Sequence, residues 1–570
     1  MNIFKDRFSE IKKASEPLYK SPKSVQETIE ILKISESGIF EVADGKYSKT
    51  YRFSDVNYAT RSEDEQESFF QRYCRCLNSF DCTFKITVNN KNKDMDVLRN
   101  EVMLKYRNDG FDKMRESYNR IIEEKILEGR QGIEQERYLT ITIERKNFEE
   151  AKAQFATIEA SMFRSFAELG SKLTPLTGNE RLKILHDYYR LGREDEFNFD
   201  IRQGRITGTD FRNEICNTRI KYHPDYFEDE GKVGRVLFIK KYPTYLSDRF
   251  FTELTFLPVH SVTSVDVVPV PKDLTMKMLQ KKYLGIESDI IKQQRTRNRN
   301  NDFSSDISYA TRQKKKDIEE IMNNVRENDE SLYYVSVTMI VMADDRDELE
   351  SICETVDSIA KGAGCAVDTC MYKQREAVNT TLPIGVRQIE TMRTMLTQSL
   401  AVLMPFNVQE LCDRNGIYYG VNQISKNIIV GNRKKLLNGN GFIFGVSGAG
   451  KSFQAKMEMG SVLLSTDDNV IAVDPMNEYE DVTEKYNGTY INISTNTRNY
   501  INPMDMDVWN LDVLDSKGWV RDKCQFMLSI CEQIMKEITP QQRSIISRCV
   551  KDLYMDIARS REKYVPTMED

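Results

Sequence analysis

The chain has 570 residues, 40% hydrophobic and 30% charged, with 27 glycines and 14 prolines. This is a multidomain globular composition, which excludes a disordered or collagen-like chain. Lys and Arg number 82 against 88 Asp and Glu, a formal net charge of −6. No global positive field therefore draws the chain onto nucleic acid, and DNA binding is left to a local patch. The longest apolar runs, 335–343 and 400–406, are strand- or turn-sized, too short to span a bilayer. The first eight residues lack the apolar core of a secretory signal. The 11 cysteines lack metal-ligand spacing, and the 3 histidines (His186, His223, His260) are far apart in sequence. Reduced bystander thiols, no histidine zinc site and a cytoplasmic location are the expectation.

Residues 1–36 are charged and are expected to be mobile, with Lys20-Ser-Pro-Lys-Ser24 as a linker. Residues 37–270 read as an α+β domain. Ile39–Val42 and Tyr47–Phe53 flank Ala43-Asp-Gly-Lys46, the turn signal of a β-hairpin. Phe84–Val88 is a short strand expected to stop at Asn89-Asn-Lys-Asn-Lys93, and Lys113–Glu128 has helical spacing. Arg137–Ile143 is a β-branched strand. Phe148–Leu169 is a long amphipathic helix with Ala151, Phe155, Ile158, Met162 and Phe166 on one face. A Pro-Leu-Thr-Gly turn opens a helix carrying Leu182, Leu185 and Tyr189; Val236–Lys240 and Leu254–Val259 have strand composition.

Residues 271–330 read as a charged helical arm, jointed by an exposed loop over Gln294–Asp306. Its basic residues Arg295, Arg297, Arg299, Arg312 and Lys314–Lys316 interleave with Asp302, Asp306, Asp317, Glu319 and Glu320. That is the pattern of a solvated helix more than of a nucleic-acid surface. Residues 331–416 read as the second part of the α+β domain: strand Leu332–Ala343, helix Arg346–Gly362 and strand Cys365–Met371. The recurrence of strand–helix–strand suggests two α+β layers.

Residues 417–570 form a different segment. Strands Ile417–Val421 and Asn427–Val430 precede a polar loop, 431–440, which feeds an apolar strand over Gly441–Phe444. Gly445-Val-Ser-Gly-Ala-Gly-Lys-Ser452 then satisfies G-x-x-x-x-G-K-[ST]. Glycines let consecutive backbone N–H groups turn inward around phosphate oxygens, and the helix expected over Phe453–Leu464 adds its positive dipole end. Lys451 would reach the β/γ-phosphates of ATP, and Ser452 would hold Mg²⁺ through its hydroxyl. Gly445, Val446, Ser447, Gly448, Ala449, Gly450, Lys451, Ser452 and Phe453 are the candidate nucleotide contacts. Asn469–Val473 reads as the next buried strand and ends at Asp474-Pro-Met-Asn-Glu-Tyr479. Asp474 or Glu478 would approach metal-bound water from a strand end; equally, Asp474-Pro475 would start a turn, with the acid capping the helix after it.

From the phosphate loop onward the chain resembles the CagE/TrbE/VirB assembly ATPases of type IV secretion and conjugation. The likeness runs through Ile471-Ala-Val-Asp-Pro-Met-Asn-Glu-Tyr479, Tyr500-Ile-Asn-Pro-Met-Asp505, Ile538-Thr-Pro-Gln-Gln-Arg-Ser-Ile545 and Val565-Pro-Thr567. Upstream, Leu176-Thr-Gly-Asn-Glu-Arg-Leu182 and the strand–helix of 137–169 look like the family's amino-terminal domain. The resemblance implies an α/β fold in which an amino-terminal α+β domain precedes a RecA/HerA-like P-loop NTPase core with a helical insertion near 507–570. It also implies a hexameric ring with ATP and Mg²⁺ as cofactors. Further implications are membrane components of a transfer channel as partners, and peripheral contact with the inner face of the membrane. The family's second acidic motif, an apolar strand ending in Asp-Glu, has no counterpart in residues 453–570. The core is therefore expected to be incomplete at its carboxyl end, as a fragment or as half of a split enzyme. Lys451, Asp474 and Glu478 remain the candidate catalytic residues for an ATP-driven motor. The alternatives are a nucleotide-binding scaffold without turnover and a DNA-pumping coupling protein.

Overall fold

The computed structural model describes residues 22, 24–92, 99, 102–128, 133–243, 245–299, 309–327, 329–413, 416–423, 427–494, 497, 499–507, 509, 516–535, 537–560 and 562–570. Most of the expected mobile segment 1–36, residues 300–308 of the arm and residues 510–515 of the expected insertion lie outside these. The chain forms two compact units, 1–470 and 471–570.

In the first unit the described strands are β1 (Lys33–Ile34), β2 (Ile39–Ala43), β3 (Lys46–Phe53), β4 (Thr83–Asn92), β5 (Ile133–Glu144), β6 (Leu173–Pro175), β7 (Ile220–Tyr222), β8 (Phe227–Asp229), β9 (Lys232–Lys241), β10 (Ser261–Val270), β11 (Leu332–Ala343), β12 (Ala366–Thr369), β13 (Arg393–Leu396), β14 (Ile417–Val421) and β15 (Ile428–Gly431). The first thirteen join one sheet in the order β1-β2-β3-β5-β4-β10-β11-β9-β8-β7, with β6 on β3, β12 on β9 and β13 on β11. The fold is thus mixed α/β around a large antiparallel sheet. The two layers suggested by the sequence are a single one, because β4 pairs directly with β10 from Phe84↔Val267 to Asn90↔Ser261.

Side-chain alternation along β11 shows how the sheet is buried. Tyr333, Val335, Val337, Met339 and Val341 enter one apolar cluster, while Ile340 and Met342 enter another, so the core covers both faces. Helices Phe148–Leu169 and Arg346–Gly362 cover the first face through Phe155, Met162, Phe166, Leu349 and Val356. Both start at a side-chain cap: Asn147 accepts from the Glu150 N–H and Asp345 from the Glu348 N–H. The Asp44-Gly45 turn forms as expected, with Gly45 at φ 68°.

Three local expectations need correction. β4 does not stop at Asn89 but runs to Asn92, because Asn90 is satisfied inside: its amide donates to the Thr255 carbonyl (2.7 Å) and to Ser261 Oγ (3.1 Å). Leu254–Val259 is not a strand. Helix Arg249–Thr255 buries Phe250, Phe251 and Leu254 on one face, and the strand begins at Ser261. Gln294–Arg299 is not loop; these residues complete helix Lys272–Arg299, which packs against helix Tyr309–Glu327. A Lys315–Glu287 ion pair of 3.0 Å, with the ammonium 5.0 Å from the Tyr283 ring centroid, ties the two arm helices.

The motif residues 176–182 also find their physical reasons here. Thr177 and Glu180 form a reciprocal capping box at the start of helix Gly178–Tyr189. A Cβ on Gly178 would sit 2.3 Å from the Ser35 carbonyl oxygen. Arg181 is buried and donates to the carbonyls of Gly38 and Ser48 (both 2.9 Å) and Pro383 (3.2 Å), stacked 3.9 Å over Phe40. Arg181 thereby clips segment 383–384 onto β2 and β3.

In the second unit, helices Ser516–Met535 and Pro540–Arg559 pack around Met504, Val520, Met527, Val550, Tyr554 and Ile557, and the Tyr554 hydroxyl donates to the Met504 carbonyl. Among the described residues no helix is long and apolar enough to cross a membrane.

Candidate functional site

The phosphate loop lies at the end of the first unit, behind the two-stranded ladder β14–β15. The loop turns through Gly448 (φ 80°) and Gly450 (φ 88°), both in the left-handed region that a Cβ would disfavour. Gly450 is the N-cap of helix Lys451–Ser465, whose hydrogen bonding opens with Gln454 N–H to the Gly450 carbonyl at 2.9 Å. Lys451 curls back over the loop and donates to the carbonyls of Gly445 (2.8 Å) and Val446 (3.1 Å). A Cβ on Gly445 would meet the Lys451 stem at 3.1 Å, so that glycine makes room for the lysine. Residues 445–451 are solvent-exposed and Ser452 is half-buried, next to Lys451 in the first turn. The candidates Gly445 to Phe453 are thus brought together as one open, cationic loop at a helix N-terminus.

These features fit a nucleotide phosphate. Unpaired N–H groups, the helix dipole and one ammonium converge on a surface that solvent reaches. Among the described residues no group of three or more His, Cys, Asp or Glu side chains converges as a metal site. Mg²⁺ would be held through Ser452 Oγ together with phosphate oxygens and water, which suits its preference for retaining waters.

The helix is anchored along its side and at its far end. Glu458 accepts from the Tyr419 hydroxyl of β14 (3.1 Å) and pairs with Arg433 (2.8 Å). Lys434 pairs with Asp468 at 2.5 Å, which holds that carboxyl below its ordinary range.

The two apolar segments expected as strands beside the loop do not form ladders. Gly441–Phe444 and Asn469–Val473 carry no strand pairing, and Phe442, Phe444, Ile471 and Val473 are 84, 87, 94 and 93% exposed. A strand is defined by its hydrogen-bonded neighbour, and apolar composition alone cannot supply one.

In the second unit, Asp474 Oδ2 accepts from the N–H groups of Glu478 (2.6 Å) and Tyr479 (2.9 Å), and Oδ1 from that of Met476 (3.2 Å). Desolvation works to raise its pKa, but the backbone donors of 476–479 outweigh it and leave the carboxyl below its usual range. Asn477 is left-handed at φ 57°, completing a tight turn. Asp474 thus closes a turn on itself; the following helix, Glu480–Lys485, starts at Tyr479 with no side-chain cap, so the expected helix cap by Asp474 does not form. Glu478 is exposed on the same turn.

Residues 432–564 match the family model described as the central domain of the helicase HerA. That part of the chain has a distant affinity with HerA-type ATPases. No curated protein matches the chain.

Sequence reasoning missed Arg107 and Arg115, which donate to the carbonyls of residues 464–466 at the far end of this helix from more than 300 positions upstream. The only local signal was Asn108-Asp-Gly110, a turn before a helix.

Proposed function

We propose that this chain is a nucleotide-dependent motor subunit that binds Mg²⁺–ATP at residues 445–453. The observation that carries this reading is the loop itself: two left-handed glycines, Lys451 wrapped over the loop carbonyls and a helix starting at its edge. The match of residues 432–564 to an ATPase domain supports it. The finer reading is a subunit of a conjugative or type IV secretion apparatus, based on the Asp-Pro-x-x-Glu-Tyr and Asn-Pro segments. In it, a ring of these subunits, held at the inner face of the membrane by channel components, couples hydrolysis to transport of substrate or of channel components.

Lys451→Ala removes one charged contact with the phosphates, on the order of 1.5–3 kcal/mol, or roughly tenfold or more in affinity. Titration with a fluorescent ATP analogue and Mg²⁺ measures it; equal affinity in both chains ends the nucleotide reading.

A second reading, a nucleotide-binding scaffold, is favoured by one observation: the Asp474 carboxylate is committed to three backbone amides. On this reading the 570-residue chain binds Mg²⁺–ATP without turnover above background. Steady phosphate release that disappears in Asp474→Ala would return that carboxylate to catalysis and favour the motor.

A further inference from the structure

The connection between β4 and β5 leaves the large sheet at the pair Asn92↔Ile133 and carries helix Asp112–Glu128. One side of this excursion packs on the β14–β15 ladder, with Val102, Tyr118, Ile122 and Ile126 against Ile428 and Val430. Its leading end reaches the last turn of the phosphate-loop helix. The Arg115 side chain is fully buried and its Nε donates to the Leu464 carbonyl at 3.1 Å. Its two terminal nitrogens are held by both oxygens of Asp109 (2.6 Å each) and by Asp112 (2.8 Å). Arg107 completes the grip, donating to the Ser465 carbonyl (2.7 Å), the Thr466 carbonyl (3.3 Å) and Asp467 (2.7 Å).

Carbonyls in the last turn of a helix have no partner within it, and they carry the negative end of its dipole. Two guanidinium groups from another part of the fold satisfy three of them in succession. The buried positions of the phosphate-loop helix, Gly460, Ser461 and Leu464, all lie in this gripped half. The half that carries Lys451 and Ser452 is open. A helix of 15 residues is a rod of about 22 Å, so the direction of its loop end is set by the hold on its far end together with the Glu458 contacts to Tyr419 and Arg433 midway along it.

We propose that Arg115 is a positioning residue for nucleotide binding: from the β4–β5 excursion it pins the carbonyl end of the phosphate-loop helix and so couples occupancy of the phosphate loop to the large sheet. The coupling rests on the nucleotide reading of 445–453, while the pinning does not. Coupling free energy is reciprocal. Nucleotide that steadies the helix also steadies the excursion, and loosening the excursion weakens nucleotide binding.

The experiment is amide hydrogen exchange on the full chain, with and without Mg²⁺ and a non-hydrolysable ATP analogue, alongside nucleotide titration. The chains compared are wild type, Arg115→Lys, Arg115→Met and Arg107→Ala. Arg107 is partly exposed, so Arg107→Ala keeps the question answerable if Arg115→Met fails to fold.

Without nucleotide, Arg115→Lys and Arg107→Ala are expected to speed exchange several-fold at amides 454–458, beyond the carbonyls they touch. Acceleration confined to 462–468 means a local cap and overturns the proposal. With nucleotide, wild type is expected to slow exchange in both 451–465 and 104–119. Arg115→Met is expected to lose the second effect and to bind about fivefold to tenfold more weakly, with Arg115→Lys intermediate. Affinity within twofold of wild type, with protection of 104–119 retained, also overturns it. A wild type that binds no nucleotide removes the functional reading and with it the coupling, while the exchange of the free chains still decides the pinning.

Discussion

His260 is buried at the start of β10, and neither of its ring nitrogens has a hydrogen-bond partner. Burial therefore lowers its pKa to about 4, with the Lys232 and Lys91 charges adding to the effect. The folded value lies below that of a free imidazole, so between about 6.5 and 4 the unfolded chain binds the proton that the folded chain refuses. Stability from this residue is complete above that window and is lost as pH falls through it, by about 3 kcal/mol at most. Urea unfolding at pH 7 and pH 4.5 checks this. His260→Leu should flatten the acid limb; an identical acid slope in both chains would remove His260 from the account. Charge–dipole geometry acts at the same scale at Lys451. One ammonium shared between two loop carbonyls is available to exchange them for stronger anionic acceptors.

At the scale of elements, the cap of helix Gly178–Tyr189 gives a graded test. Thr177→Ala removes one reciprocal capping bond and should cost about 1 kcal/mol. Gly178→Ala should cost more, because its Cβ would land 2.3 Å from a backbone oxygen that a rotamer change cannot move. Thermal melts that rank the two variants in the opposite order would contradict that packing. Elements whose information is local were readable from the chain. The Asp44-Gly45 hairpin, the 148–169 helix and the glycine loop 445–452 each carry their own turn, period or cap. Elements that depend on distant partners were not. Asn89 and Asn90 read as a strand's end because the acceptors that satisfy Asn90 lie some 165 residues away or more. Gly441–Phe444 and Asn469–Val473 read as strands from composition, although no ladder forms there. Nothing in the helical spacing of Lys113–Glu128 singles out Arg115, since its acceptor at Leu464 lies 349 positions on.

For the whole molecule, the exposed aromatic pair matters most. Phe442 and Phe444 stack at 5.7 Å between ring centroids and are largely solvent-exposed. An extended, unpaired apolar segment of this kind is a site for strand addition or self-association. The chain is therefore expected to associate as its concentration rises, and Phe442→Ser with Phe444→Ser should weaken that association. Sedimentation velocity over a tenfold concentration range reads it; concentration-independent sedimentation of the wild type would show that the segment stays solvated. Ring assembly, if it follows from nucleotide binding, should be separable in the same experiment by its dependence on Mg²⁺–ATP.

The grip of the β4–β5 excursion on the phosphate-loop helix also sets an order of events during biosynthesis. The excursion is complete once residue 133 has been made, yet the ladder and helix that cover it span 417–465. At ribosomal rates of about 5–20 residues per second, roughly 17–66 s separate the two. Throughout that interval Tyr118, Ile122 and Ile126 lack the cover of Ile428 and Val430, and Arg115 has its acidic partners but no helix to hold. A nascent chain arrested near residue 400 would therefore present a sticky, uncovered helix to whatever chaperone reaches it first, and one arrested late enough for residues 417–465 to have left the ribosome would not.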